Sequence, residues 1–316
     1  MPNNGFGENL VKKKSVLDRI KLELQRNKYL YILAIPVILY YVLFCYLPMF
    51  GLAIAFEDFS IAKGVFGSEW IGLKHFKDFF SGIYFTRTLK NTLIISFELI
   101  AFGFPIPIIF ALLLNELNNK KLKKVAQTAT YLPHFISMVV FCGIVSNFFG
   151  TDGLIVKLIE FFGGENRNYL ADDKWFRPIF VFTDIWKGFG WQSIVYLAAL
   201  VSVDTQLYEA ATIDGANRFQ KILHVSIPGI LPTIMTMLIL RLGHVLSIGY
   251  EKIILLASPG TLNVAEVISS YVYSAGIQGA RYGYASAVGL FQSVVNIIFV
   301  LITNYISKKI SETSIW

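Results

Sequence analysis

The sequence predicts an all-α polytopic membrane protein with six transmembrane helices. Of its 316 residues, 55% are hydrophobic and only 16% are charged, whereas soluble domains carry about a quarter charged residues. Several apolar runs are long enough to cross a hydrocarbon core about 30 Å thick. Basic residues flank these runs and do not cluster on a soluble face, so the formal charge of +7 indicates membrane topology and not nucleic-acid binding.

The apolar runs divide the chain into a short tail and a transmembrane domain. Residues 1–28 contain no apolar core, which argues against a cleavable signal peptide. An amphipathic helix on the inner leaflet is expected within them, over residues 15–27, with a solvated tail as the alternative. The transmembrane domain is expected over residues 29–316. Its predicted spans are residues 29–56, 88–114, 128–149, 178–203, 227–246 and 284–307.

The distribution of Lys and Arg between the segments that join the spans predicts that both termini lie in the cytoplasm. With the amino terminus inside, the basic clusters at residues 12–28, 120–124 and 308–309 are all internal, while the external segments are rich in acids. The same orientation places the polar loop of residues 204–226, between the fourth and fifth spans, on the cytoplasmic side.

The loop of residues 204–226 has the pattern of a helix-turn-helix. Residues 209–211 favour helix, Gly215 permits a tight turn, and residues 217–225 favour helix again. Pro228 stands where the fifth span begins, a position that tolerates a missing backbone N–H. A simple connector needs no such shape, so the loop is predicted to dock a partner.

The fourth span carries polar residues at membrane depth. Asp184 and Lys187 are spaced i, i+3 and are predicted to pair on one helix face. Trp186 and Trp191 lie close by, and an aromatic ring beside a polar pair suits a sugar. The alternative is an aromatic belt at the outer membrane surface.

The short apolar run of residues 253–257 after the fifth span is expected either to extend that helix beyond a break at Gly249 or to form a re-entrant piece. Unwound backbone at membrane depth is tolerated where it lines a wet cavity. Transport sites are often built from such interrupted helices. Tyr250 and Glu251 are therefore predicted to face a transport pathway. The alternative is a packing network that joins Glu251 to Lys252 or Arg241.

The remaining polar groups offer no catalytic site. The chain contains no Gly-x-x-x-x-Gly-Lys-Ser/Thr loop, no zinc-binding His/Glu helix and no Cys-x-x-Cys pair, so no cofactor or metal is expected in it. Cys45 and Cys142 lie within apolar spans and are expected to be small buried residues, with a disulfide or metal site as the alternative. Glu98 and His244 are lone ionisable groups, each expected to form a buried hydrogen bond to a neighbouring helix.

The polar loop resembles the EAA loop of ABC-importer permeases. That loop has Glu-Ala-Ala, three residues, Gly, nine residues and an Ile-x-Leu-Pro block. Glu209-Ala210-Ala211, Gly215 and Val225-Ser226-Ile227-Pro228 fill this spacing, with conservative departures at Val225 and Ile227. In this family the loop is the coupling helix, here about residues 208–219, and it contacts an ATPase. The resemblance implies polar contacts from Glu209, Asp214 and Arg218, a turn at Gly215, and close approach at Ala210 and Ala211.

Other segments resemble the maltose-type carbohydrate permeases, including Tyr131-Leu132-Pro133, Asp204 and Asp214-Gly215-Ala216. Residues 249–252, 267–273 and 287–293 are similar to the branch that takes up oligosaccharides and polysaccharide fragments in Gram-positive bacteria. This resemblance implies a type I ABC importer transmembrane domain in a bacterial plasma membrane. It also implies a second, related permease chain, two ATPase subunits that bind ATP and magnesium, and an extracellular lipid-anchored binding protein.

Three other functions stay open at this level. An ABC permease for peptides or amino acids would share the coupling loop. An ion-coupled carrier would need inverted repeats and an ion site, and neither is visible in the sequence. A structural assembly protein would leave the interrupted fifth span unexplained.

Overall fold

The computed structural model describes residues 25–311. The first 24 residues of the predicted tail, which include most of the predicted amphipathic helix, lie outside this range. The chain divides at Ala53 into two compact units. The first contains helix α1, Lys28–Tyr40, which continues through a π-helical turn, Tyr41–Tyr46. No residue of α1 is buried, and a helix that is apolar all round is typical of a membrane span.

The second unit begins with a small hairpin that the all-α prediction missed. Strands β1, Glu57–Asp58, and β2, Glu69–Trp70, pair antiparallel, with Glu57 opposite Trp70. Helix α2, Lys74–Ser81, follows and packs on the last helix of the chain through the buried ring of Phe79. Two-residue strands are too short to show a period in the sequence.

The helices after α2 make up most of the second unit. In chain order, the α-helices of six or more residues are α3 Ile83–Ala101, α4 Pro105–Asn115, α5 Lys120–Tyr131, α6 Met138–Phe149, α7 Leu154–Phe161, α8 Asp173–Val201, α9 Thr205–Ile213, α10 Ile227–Leu242, α11 Tyr250–Leu256, α12 Ile268–Tyr273 and α13 Tyr282–Ser311.

Among the described residues, five helical segments are long and apolar enough to cross a membrane. They are Lys28–Phe56, Ile83–Asn115, Met138–Phe161, Arg218–Leu242 and Tyr282–Ile306. Helix α8 corresponds to the predicted fourth span and has 29 residues. It is not among the five, because polar residues such as Asp184, Lys187 and Gln192 lower its hydropathy.

The predicted third span, residues 128–149, is not one helix. Helix α5 ends at Tyr131, a 3₁₀ turn follows at Leu132–Phe135, and α6 begins at Met138. Pro133 lies in this turn, and a proline removes a helical hydrogen bond and clashes with the preceding turn. The break leaves backbone carbonyls without helical partners inside the bundle.

Helix α8 organises the core of the second unit. It packs along α4 and also contacts α3, α5 and α10. Its contact with α5 is so close that a Cβ atom at Gly190 would lie 2.2 Å from the carbonyl oxygen of Thr130. A second apolar cluster joins α8 to α6 and α11 through Phe180, Phe141 and Ile253. This packing brings the two parts of the interrupted fifth span against α8.

Candidate functional site: the coupling loop and a charged cavity

The loop between α8 and α10 forms the predicted helix-turn-helix. The side chain of Asp204 caps α9 by accepting a hydrogen bond of 2.9 Å from the backbone N–H of Gln206. Helix α9 ends at Ile213, and Gly215 then adopts a φ of 79°. Because this left-handed conformation favours glycine, the sequence Asp214-Gly215-Ala216 specifies the turn locally.

The second half of the loop is also held by local contacts. Asn217 and Gln220 form a reciprocal capping box with distances of 2.9 and 2.8 Å. The helical turn Arg218–Lys221 then leads through a π-helical turn, Ile222–Ser226, into α10. Two side-chain bonds tie the halves together: Lys221 Nζ to Thr212 Oγ1 at 2.7 Å, and the Tyr208 and Ser226 hydroxyls at 2.9 Å.

The loop presents charged and apolar side chains together. Glu209, Asp214 and Arg218 are exposed, and so is Ala210, whereas Ala211 is half-buried. The sequence reasoning missed Ile213 and Phe219, whose exposed fractions are 87% and 67%. Large apolar residues inside a polar loop could have indicated a docking surface from the sequence, because protein-binding surfaces combine apolar anchors with a polar rim.

The fifth span is interrupted as predicted. Helix α10 ends at Leu242 and α11 begins at Tyr250. Side chains from other helices form hydrogen bonds with the backbone N–H and C=O groups of the unwound segment between α10 and α11. Asn296 accepts from the Leu246 N–H at 3.1 Å, and Gln292 donates to the Leu246 carbonyl at 2.8 Å. The hydroxyls of Ser96 and Ser269 donate to the carbonyls of Val245 and Ile248. Because these bonds replace helical ones, the break is compatible with membrane depth.

A cavity of about 170 Å³ lies beside this break. Residues of α3, α8 and the interrupted span line it, together with Met138. Its ionisable lining residues are Asp184, Arg241, His244 and Lys252. Only one of these four is acidic, so the cavity wall is predominantly basic.

Asp184 pairs with Lys252 and not with Lys187, so the predicted i, i+3 pair is wrong. Lys252 is only 2% exposed, and its Nζ lies 3.4 Å from Asp184 Oδ1 and donates to the carbonyl of Phe180 at 2.7 Å. Lys187 Nζ instead donates to the carbonyls of Pro133, His134 and Ile136 at 3.1, 3.2 and 2.5 Å. The broken helix before α6 exposes these acceptors, which the sequence pattern did not reveal.

The other predicted pathway residues lie around the cavity without lining it. Trp186 packs against Phe141, with ring centroids 5.4 Å apart. Tyr250 is partly exposed and stacks on Tyr273 at 5.0 Å, and Glu251 is exposed. Within residues 25–311 Glu251 forms no ion pair with Lys252 or Arg241, so the alternative packing network is absent. No group of three or more His, Cys, Asp and Glu in that range is placed to hold a metal ion.

Comparison with known proteins identifies the family. Residues 103–312 match the family described as binding-protein-dependent transport system inner membrane component, which is more than half of the chain. The chain belongs to this family. It is therefore a multi-pass permease subunit of an ABC transport system, a class of subunit that is not itself an enzyme.

Two relatives of this permease come from Bacillus subtilis strain 168. The polygalacturonan/rhamnogalacturonan transport system permease protein YteP is 43% identical, with coverage of 96% of this chain and 95% of the relative. Protein LplB is 45% identical, with coverage of 93% and 92%.

Two solved structures resemble the permease over nearly its whole length. One is a bacterial ABC transporter involved in the import of the acidic polysaccharide alginate, with a TM-score of 0.86, 42% identity and coverage of 93% of this chain and 99% of that chain. The other is a bacterial alginate ABC transporter in complex with an alginate pentasaccharide-bound periplasmic protein. Its TM-score is 0.87, its identity 41% and its coverage 94% and 100%.

Proposed function

We propose that this permease forms half of the translocation pathway of an ATP-driven importer for an acidic oligosaccharide or polysaccharide fragment. The observation that carries the proposal is the basic cavity at the interrupted fifth span. Polygalacturonan and alginate, after which the relatives are named, are polymers of uronic acids. A fragment of such a polymer would bring carboxylates and hydroxyls to a wall that supplies basic donors.

Arg241 is the residue best suited to receive a substrate carboxylate. Lys252 is already neutralised in part by Asp184, whereas no carboxylate of residues 25–311 forms an ion pair with Arg241. A guanidinium can hold a carboxylate through two parallel hydrogen bonds. His244, which also lines the cavity, adds a second donor or acceptor.

The proposed pathway extends from the cavity past Gly249 to Tyr250 and Glu251. Gly249 lines the cavity, and these two residues follow it directly. Trp186 and Lys187 would support the cavity wall behind Asp184. Trp186 packs on Phe141, and Lys187 donates to the carbonyls before α6.

The loop from Asp204 to Ser226 would couple this pathway to ATP hydrolysis. Its exposed Glu209, Asp214 and Arg218 would contact an ATP-binding subunit, while Ala210 and Ala211 would permit close approach. ATP and magnesium would bind to two such partner subunits and not to this chain. Closure of those subunits would move the loop as a rigid body, because its own capping contacts hold its shape.

The proposed topology has six spans, with α8 as the fourth and both termini in the cytoplasm of a bacterium. The polar residues of α8 face protein and the cavity, which explains how a less apolar helix could span the membrane. A second, related permease chain would complete the pathway. An extracellular lipid-anchored binding protein would deliver the substrate, as the periplasmic protein in the alginate complex suggests.

Reconstitution of the purified complex into lipid vesicles tests the proposal. With the binding protein outside and ATP inside, labelled oligogalacturonate should accumulate, and a neutral oligosaccharide of the same length should not compete. Accumulation driven by an ion gradient without ATP, or equal uptake of a neutral sugar or a peptide, would contradict it.

A further inference from the structure

Asp184 is the one acidic residue among the described residues that line the basic cavity beside the break. Its side chain is 34% exposed, whereas the side chain of Lys252, with which it pairs, is 3% exposed. The carboxylate is therefore accessible from the cavity, and the ammonium group lies buried behind it. A charged group that enters the cavity meets Asp184 before it meets Lys252.

The position of Lys252 does not depend on Asp184. Its Nζ donates to the carbonyl of Phe180 at 2.7 Å and lies 4.2 Å from the centroid of the Phe180 ring. Asp184 Oδ1 is more distant, at 3.4 Å. An ammonium group has three donor hydrogens, and these two acceptors occupy two of them. The backbone and the ring of Phe180 hold Lys252 in place, while Asp184 supplies the opposite charge.

Without Asp184 the cavity would hold an acidic sugar tightly. Arg241 and Lys252 both line it, and opposite charges attract strongly where little water screens them. A transport site must bind its substrate well enough to admit it and weakly enough to release it. Asp184 has the same charge as a substrate carboxylate, and a cavity of about 170 Å³ keeps the two close together. The repulsion between them opposes retention.

We propose that Asp184 limits the affinity of the cavity for an acidic sugar and thereby permits the release of that sugar. In the empty cavity Asp184 neutralises Lys252. When a substrate carboxylate is bound at Arg241, Asp184 repels it and competes with it for Lys252. The proposal rests on the proposed function, which places an acidic substrate in this cavity. It adds the residue that determines how tightly the substrate is held.

A purely structural role for Asp184 leads to the opposite expectation for binding. If Asp184 served only to neutralise Lys252, its removal would leave a buried cation without a partner and would loosen the bundle at the break. Loss of packing weakens binding, whereas loss of repulsion strengthens it. The sign of the change in affinity therefore separates the two roles.

Asp184→Asn tests the proposal, because asparagine keeps an oxygen acceptor for Lys252 and removes the negative charge. Equilibrium dialysis of labelled oligogalacturonate against the purified complex should show about tenfold tighter binding by this variant, equivalent to about 1.4 kcal/mol. Asp184→Glu keeps the charge and should bind as the wild type does. Asp173→Asn, at an exposed position of the same helix, is the matched control. Unchanged or weaker binding by Asp184→Asn would overturn the proposal.

The methyl ester of the same oligogalacturonate shows whether charge is the cause. The ester has no carboxylate, so the wild type and Asp184→Asn should bind it equally. If the variant bound the ester and the acid more tightly to the same degree, repulsion between carboxylates would not be the reason.

Uptake into vesicles tests the effect on release. With ATP and saturating loaded binding protein, Asp184→Asn should lower the maximal rate of uptake of the acidic fragment about tenfold, because the substrate leaves the cavity more slowly. A maximal rate equal to that of the wild type would show that Asp184 does not control release. A wild-type complex that imports no acidic fragment would refute the proposed function itself, whereas wild-type uptake without these changes in the variant refutes only the role of Asp184.

Discussion

The polar loop of residues 204–226 and the interrupted fifth span both depart from regular helix at a glycine, but they are stabilised in different ways. The loop closes its hydrogen bonds within itself, and its longest side-chain bond, between Tyr208 and Ser226, spans 18 residues. The break before Tyr250 depends on distant helices, because Ser96 bonds Val245 across 149 residues and Asn296 bonds Leu246 across 50. The loop can therefore keep its shape while it moves, whereas the break exists only in the folded bundle.

This difference predicts two kinds of mutational effect. Substitutions in the loop should impair coupling and leave the bundle stable, since they remove few contacts with it. Substitutions at the break should alter the bundle or the substrate site.

The largest effect is expected from Gly215→Pro. Gly215 has a φ of 79°, whereas proline requires about −65°. Uptake should be lost, and stimulation of ATP hydrolysis by the loaded binding protein should disappear, while the complex still assembles. Glu209→Lys should have the same effect through reversal of charge. Gly163→Pro, at a φ of 88° with no atom near its missing Cβ, is the control outside the loop. Normal stimulated ATPase activity in both loop variants would contradict a coupling role.

Combined substitution of Tyr250→Ala and Glu251→Ala should also abolish uptake but should leave the subunit composition intact. Both side chains are exposed beside the cavity and carry little of the core. The matched control is Tyr273→Phe, which keeps the ring that stacks on Tyr250. Unchanged transport rates in the double variant would exclude these residues from the pathway.

Lys252→Met should destabilise the bundle at the break. Loss of one partner of a buried ion pair costs about 3–5 kcal/mol, and the 34% exposure of the Asp184 side chain reduces this to about 2–3 kcal/mol. Denaturant unfolding of the purified complex measures the change. Addition of Asp184→Leu should restore part of the loss, and the exposed control Lys157→Met should change little. A double variant no more stable than Lys252→Met alone would refute the pairing.

Arg241→Gln should lower uptake of the acidic substrate about tenfold, equivalent to about 1.4 kcal/mol, with little change in stability. Arg241→Lys keeps the charge but loses the two-bond geometry, so an intermediate rate is expected. Arg167→Gln, in the loop before α8, is the control. Equal loss in the Lys and Gln variants would show that the positive charge at this position contributes nothing to recognition.

The smallest effect is expected from Asn296→Leu. This change leaves the Leu246 N–H without its acceptor, at a cost of about 1–2 kcal/mol. Thermal unfolding of the complex should register it. Ser293→Ala on the same helix removes only a bond to the Gly289 carbonyl and serves as the control. If both variants unfold alike, the unwound segment does not depend on Asn296.

The sequence alone determined the features that depend on neighbouring residues. Composition and apolar length identified a membrane protein, and glycine and capping residues specified the shape of the polar loop and the position of the break. Tertiary structure decided the features that depend on distant residues. Lys187 donates to the carbonyls before α6, and Asp184 pairs with Lys252, which lies 68 residues away in the sequence. The physical reason is that local hydrogen bonds and turn conformations are encoded within a few residues, whereas a buried charge takes whichever partner the packed helices bring to it.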